Sequence, residues 1–392
     1  MNNSFQRSKI PYGKQTISEE DIASVVEVLR SDFLTQGPVV DLFAREIEKK
    51  LNCNFAIPTN SATSALQIAY MALGLSKGDI LWSSPNTFVA TTNAALHCGA
   101  EVDFVDIDPM NGLMDVNKLK EKLEIAKKDN KLPKVLVPVH LAGTSCDMPE
   151  IYNLSKKYGF SIIEDASHAI GGYCNNIEVG SCKYSDITVF SLHPVKIITS
   201  GEGGIATTND KQISNKLKSL RSHGIIKDKQ FFKNSSKGDW YYEQQFLGYN
   251  YRMNDISAAL GLSQLKKIKS FIEKRTNIIE IYKRKLSNLP LSFLKVPSNI
   301  KSSYHLAIIR LDNKNPNHHE FVFRSLKTKN IGVQVHYIPV HLQPYYRQMG
   351  FSEGNFPNAE SYSSNAISLP IYPNLSSSQI DRVIDHIKEI LK

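Results

Sequence analysis

Between residues 79 and 208, short apolar runs alternate with segments of helical period, and this alternation restricts the fold more than any other feature of the chain. Asp79–Pro85, Glu101–Asp108, Lys134–His140, Phe160–Glu164, Asp186–Leu192 and Gly204–Thr208 read as strands. Ala90–Cys98, Val116–Lys127 and Met148–Tyr158 read as helices between them. Strands separated by helices pair in parallel, and a parallel sheet needs cover on both faces. An α/β fold with a mostly parallel central sheet is therefore expected. Two helices should precede it. Ser18-Glu-Glu-Asp21 offers a capping box to a helix carrying Ile22, Val25, Val26 and Leu29. A second helix starts at about Pro38, where the missing N–H costs nothing. Beyond the alternation, one long helical pattern covers Asp255 to about Leu286. The texture then changes: Tyr304–Leu311 and Gly332–Tyr337 read as strands and Ser377–Leu391 as a last helix. That change predicts a large α/β domain over residues 1–265, with an N-terminal arm, and a smaller α+β domain over 266–392.

Composition excludes several classes. With 41% hydrophobic and 22% charged residues, the chain can bury a sizeable core. No apolar run is long enough to span a bilayer. The opening MNNSFQRSKIPYGKQ lacks the apolar segment of a secretory signal, so a cytoplasmic protein is expected. The five cysteines, Cys53, Cys98, Cys146, Cys174 and Cys182, match no zinc spacing; reduced thiols and no metal are expected. A net charge of +9 suits nucleic acid or an anionic metabolite. The basic residues are scattered along helical stretches such as KQISNKLKSLR, and no nucleic-acid recognition signature is present. Nucleic acid is therefore not an expected partner.

Three segments place reactive side chains at the carboxyl ends of strands, where open α/β sheets bind ligands. FSIIEDASHAIGG sets Asp165 at the end of one strand, and ITVFSLHPVK sets Lys196 past another. TNSATSAL places Ser61, Ala62 and Thr63 where a helix begins, with backbone N–H groups free for an anion. Each has an ordinary reading alone: a loop lysine, a capping aspartate, a plain helix start. Together they match the needs of pyridoxal phosphate. The cofactor takes an amine for a Schiff base, an acid at its ring nitrogen and donors for its phosphate. Ser191 adds a hydroxyl near the lysine, and Phe88, in SSPNTFVATTNA, offers a flat ring for stacking or else a core residue. The glycines of GEGG lack the context of a dinucleotide fingerprint and read as a turn before the next strand.

The whole pattern resembles the DegT/DnrJ/EryC1/StrS sugar aminotransferases, which have the fold-type I pyridoxal-phosphate architecture. The resemblance runs from IPYGKQ to SLPIYPNLS. It is carried by LTQGPVVDLFA, NSATSALQIAY, PNTFVATTNAAL, EDASHAIGG, FSLHPVKIITSGEGG, LRSHG, GYNYRMNDISAALGLSQL and GVQVHYIPVH. It implies that Lys196 is the Schiff-base lysine and proton shuttle, and that Asp165 pairs with the pyridine nitrogen. His168 would sit near the ring hydroxyl, Phe88 would stack on the ring, and Ser61, Ala62, Thr63 and Ser191 would hold the phosphate. Asn250 would reach the phosphate of the other subunit of a homodimer. Tyr12, Leu34, Thr35, Ser61, Gln334, Val335, His336 and Tyr337 would touch a nucleotide sugar. The His193-Pro-Val-Lys196 form resembles the branch acting on UDP-linked L-sugars, which serves pseudaminic acid biosynthesis. The implied reaction moves an amino group from L-glutamate to C4 of a UDP-linked 4-keto-6-deoxy-L-sugar. Alternatives are a UDP-4-keto-pentose, a D-xylo hexulose, or a non-catalytic regulatory role. A related dehydratase is disfavoured, because such members carry His in place of the lysine.

Overall fold

The computed structural model describes residues 9–235, 238–313 and 315–391; residues 1–8, part of the polar opening read above, lie outside it. Seven strands form the central sheet: β1 (Phe55–Thr59), β2 (Ile80–Ser83), β3 (Glu101–Phe104), β4 (Val135–Val137), β5 (Ser161–Asp165), β6 (Ile187–Ser191) and β7 (Gly204–Thr208). Their spatial order is β1-β7-β6-β5-β4-β2-β3. Strand β7 runs antiparallel to both its neighbours, and the other six are parallel to one another. The strands end within a few residues of their expected limits. They are buried on both faces, as Ile187, Val189, Phe190, Leu136 and Ile163 show.

Helices α1 (Glu19–Leu29), α2 (Pro38–Leu51), α3 (Ala62–Ala72), α4 (Ala90–His97), α5 (Val116–Lys128), α6 (Met148–Tyr158) and α7 (Lys211–Arg221) supply the cover. Their starts are written in the sequence. Ser18 and Asp21 close a reciprocal capping box on α1, and Asp115 and Asp147 accept from first-turn amides of α5 and α6. Gly159 ends α6 in the left-handed conformation that glycine adopts without strain.

Three expectations are corrected. The long helix is two helices, α8 (Asp255–Leu265) and α9 (Ile268–Leu286). At the break, Lys267 turns its amine onto the buried Asp21 of α1, 2.8 Å away, and Gln264 donates to the same carboxylate. Helix α8 thus stays against α1, while α9 leads away. Gly332–Tyr337 forms no strand. Ile331 bridges Ile10 and Gln334 bridges Ser368, so the segment changes partner within four residues and only isolated bridges form. The strand expected from Tyr304 starts at Ala307, because His305 bonds the loop carbonyl of Ala142 instead.

A second core lies beyond the sheet. It gathers Ile278, Ile279, Tyr282 and Leu286 of α9 with a three-stranded antiparallel sheet, β8 (Leu291–Phe293), β9 (Ala307–Leu311) and β10 (Ala366–Leu369). Helices α10 (Pro316–Thr328) and α11 (Ser377–Leu391) complete it. Ile10 also packs here, fully buried, so the N-terminal segment crosses to this core and carries Tyr12 with it. Among the described residues no helix is long and apolar enough to cross a membrane, and no group of three or more His, Cys, Asp or Glu is placed to hold a metal.

Candidate active site

A cavity of about 400 Å³ opens at the carboxyl ends of β5 and β6. Ser61, at the N-cap of α3, accepts the Ser64 amide on its hydroxyl. The amides of Ala62 and Thr63 have no intrahelical partner, and both residues line the cavity. Gly204, the first residue of β7, passes so close that a Cβ there would lie 2.4 Å from the Ser61 oxygen and 2.5 Å from the Ala62 nitrogen. The GEGG run is therefore more than the expected turn: Gly201 turns the chain with φ +80°, but Gly204 allows β7 to pack against the helix start.

Lys196 follows β6 in a loop tied shut by Leu192, whose carbonyl accepts from Thr199 Oγ1 and the Ser200 amide. Its amine has no hydrogen bond or ion pair among the described residues, and its open side faces the cavity. Burial pushes this amine down to about 8, with the charge of Asp165 pulling weakly the other way. Asp165 ends β5 and is buried. Its Oδ2 accepts from Thr91 Oγ1 at 2.7 Å and its Oδ1 from the Ser167 amide at 3.1 Å. Glu164 points to the other side of the strand, as alternation requires. There it meets His140 Nε2 at 2.7 Å, Ser185 and Thr188.

His168 is buried between the two ends of the site. The Ala142 amide donates to its Nδ1 at 3.3 Å, so the neutral ring carries its proton on Nε2, 3.1 Å from the Tyr337 hydroxyl. The His305 ring lies against it, with centroids 4.4 Å apart. Burial, with Lys196 nearby, holds His168 and His305 well below the usual imidazole range and His336 down at about 3. All three are neutral at pH 7. His336 is fixed through Nδ1 to Ser368 Oγ at 2.7 Å, and Tyr12 lies 5.5 Å from it, ring to ring.

The structure brings together Lys196, Asp165, His168, Phe88, Ser61, Ala62, Thr63, Ser191, Tyr12 and Gln334, Val335, His336 and Tyr337 around this one cavity. Phe88 is 59% exposed on its rim, which rules out the core reading. Leu34, Thr35 and Asn250 do not line it. Leu34 is 47% exposed, with its carbonyl bonded to the Asp255 amide; Thr35 and Asn250 are also exposed. Sequence reasoning missed Thr91, Thr87 and His305. The threonines flank Phe88 in a stretch read for that ring and for the helix that follows, and His305 reads as part of a strand.

An unpaired amine of lowered basicity, a carboxylate held by two donors and two free helix amides lie on one cavity. This donor set fits pyridoxal phosphate. A profile of the DegT/DnrJ/EryC1/StrS aminotransferase family matches residues 15–388. The chain is 38% identical over 384 residues to the UDP-4-amino-4,6-dideoxy-N-acetyl-beta-L-altrosamine transaminase of Campylobacter jejuni, covering 98% of each. It is 35% identical over 387 residues to the spore coat polysaccharide biosynthesis protein SpsC of Bacillus subtilis, covering 98% of this chain and 97% of that one. Among solved structures, Helicobacter pylori PseC, an aminotransferase involved in pseudoaminic acid biosynthesis, superimposes with a TM-score of 0.89 at 32% identity, covering 98% of this chain and 99% of that one. The chain belongs to the DegT/DnrJ/EryC1/StrS aminotransferase family and is a pyridoxal-phosphate-dependent aminotransferase with the fold-type I architecture.

Proposed function

We propose that this enzyme moves an amino group from L-glutamate to C4 of UDP-2-acetamido-2,6-dideoxy-β-L-arabino-hex-4-ulose, a step of pseudaminic acid biosynthesis. The observation that carries the reaction type is the unpaired Lys196 amine beside Asp165. The sugar rests on the likeness to the Campylobacter and Helicobacter proteins. Ala62, Thr63, Ser61 and Ser191 would hold the cofactor phosphate, the helix start favouring its negative charge. When bound, the cofactor supplies an electron sink for the pair left on carbon as a C–H bond breaks. Asp165 would keep a proton at the ring nitrogen, and Phe88 would cover one ring face. Lys196 would carry the proton between Cα of the donor and the cofactor carbon that receives it, and would run the same transfer in reverse at C4 of the sugar. An amine with a pKa of about 8 is suited to both, because it changes charge near neutral pH.

Tyr12 and Gln334–Tyr337 form the wall facing the incoming sugar, with Leu34 and Thr35 as further contacts by family likeness. The two substrates use one site in turn, so kinetics are ping-pong. A cytoplasmic homodimer with shared sites completes the proposal: Asn250, exposed in this chain, would reach the phosphate of the other subunit. The test is amination of a panel by the purified enzyme with glutamate, with products identified by NMR. The panel holds the N-acetylated L-arabino and D-xylo hexuloses and the UDP-4-keto-pentose. Turnover confined to the L-arabino compound is expected; preference for another sugar would reassign the pathway.

A further inference from the structure

Asp165 is held by a chain of hydroxyls that reaches the cavity wall. Thr91 Oγ1 lies 2.7 Å from Asp165 Oδ2, and Thr87 Oγ1 lies 2.8 Å from Thr91 Oγ1. An ionised carboxylate only accepts, so Thr91 must spend its single proton on Asp165. Thr91 then accepts from Thr87, which fixes the direction of the whole chain. Both threonines are buried, at 1% and 2% exposure, and both line the cavity. Thr91 is itself pinned. The Tyr70 hydroxyl, fully buried in α3, donates to its backbone carbonyl at 2.8 Å. The other carboxylate oxygen is held by the Ser167 amide. Both oxygens therefore have a fixed donor, and the plane of the carboxylate is set before any ligand arrives.

We propose that Thr91 is a positioning residue: with Thr87 behind it, it orients the Asp165 carboxylate toward the ring nitrogen of the cofactor. This rests on the assignment of Asp165 to that nitrogen. Helix α3 then has two duties. Its first amides face the cofactor phosphate, and Tyr70, eight residues on from Ala62, anchors the group that meets the other end of the ring.

The test compares Thr91→Val, which keeps the shape and removes the hydroxyl, with Thr91→Ser, which keeps the hydroxyl. Two readouts are the dissociation constant for pyridoxal phosphate, titrated by absorbance, and the split between kcat and KM for the keto sugar. Losing a hydrogen bond to a charged group predicts a roughly ten- to hundredfold weaker cofactor and a similar fall in kcat for Thr91→Val, with KM unchanged. Thr91→Ser should stay within about threefold of the parent on both readouts, by the same hydrogen-bond scale. Equal damage in both variants would assign the effect to the lost methyl and overturn the proposal. So would a Thr91→Val enzyme that matches the parent. Asp165→Asn separates the layers. If it is crippled while Thr91→Val is normal, only the proposal falls; if it is normal, the assignment of Asp165 falls and the proposal with it. Should Thr91→Val not fold, Thr87→Val reads the same chain one link back, with a smaller loss of cofactor affinity expected and no loss refuting the proposal.

Discussion

The most direct consequence of the site is chemical: with the cofactor stripped, Lys196 should react as a neutral amine at a pH where other lysines do not. Its pKa of about 8 compares with about 10.4 for an unperturbed lysine. At pH 7.5 this makes about a quarter of Lys196 neutral, against about a tenth of a per cent of an ordinary lysine, roughly a 200-fold advantage. The sign follows from burial, which disfavours the charged form, so the neutral fraction rises with pH through 8 and saturates. Brief labelling with an amine-reactive reagent at pH 6.5 to 10, read by peptide mass spectrometry, follows Lys196 and its surface counterparts together. Labelling of Lys196 should rise about fourfold from pH 7.5 and level off above pH 9. Lys118, whose hydrogen bond and charge contact with Glu121 raise its pKa, should still be climbing at pH 10. Other cavity groups do not blur the midpoint. His168, His305 and His336 titrate far below it, and burial raises Tyr12 and Tyr337 above it. His193→Gln serves as the control for the one cavity histidine nearest in sequence. Asp165→Asn removes the charge that favours the ammonium form and should move the midpoint below 8. A Lys196 midpoint above 9.5 would refute the reasoning, because an amine that basic is neither desolvated nor suited to proton transfer at neutral pH.

Two further outcomes are expected. Gly204→Ala would drive a Cβ to 2.4 Å from the Ser61 oxygen, so urea unfolding should show a loss of about 1–3 kcal/mol, together with weaker cofactor binding; an unchanged midpoint would mean that β7 and α3 separate freely. Mixing inactive Asn250→Ala and Lys196→Ala subunits should restore some activity if sites are shared, and no recovery after verified subunit exchange would place Asn250 outside the neighbouring site.

The architecture of the sheet was legible because period and capping residues act locally. Val116, Met148, Gly204 and Ser377 were located to the residue as element starts. What depends on tertiary contact was not. The break at Lys267 exists because Asp21, far away in sequence, takes its amine. Gly332–Tyr337 has the composition of a strand, but no single neighbour runs beside it. The site was legible in outline, since Asp165 and Lys196 each follow an apolar strand. Their proximity depends on β5 pairing directly with β6, Asp165 opposite Val189, which no spacing reveals. Thr91 was invisible for a related reason: a threonine in the first turn of a helix shows its purpose only when the carboxylate it faces is known. Phe88 left two readings open, a stacking ring or a core residue, and only the open cavity decides between them. Phe88 has the composition of a core residue and the position of a rim.

The N-terminal segment and the 334–337 segment share one property with wide reach. Both are fastened to the second core, through Ile10 to Ile331 and Gln334 to Ser368, yet they wall a cavity whose reactive groups stand on the first. The cavity is thus walled from both cores. A substitution in the second core at Ile10 or Ile331 would be felt in the cavity through Tyr12 and Gln334, while Lys196, Asp165 and helix α3 stay on the sheet.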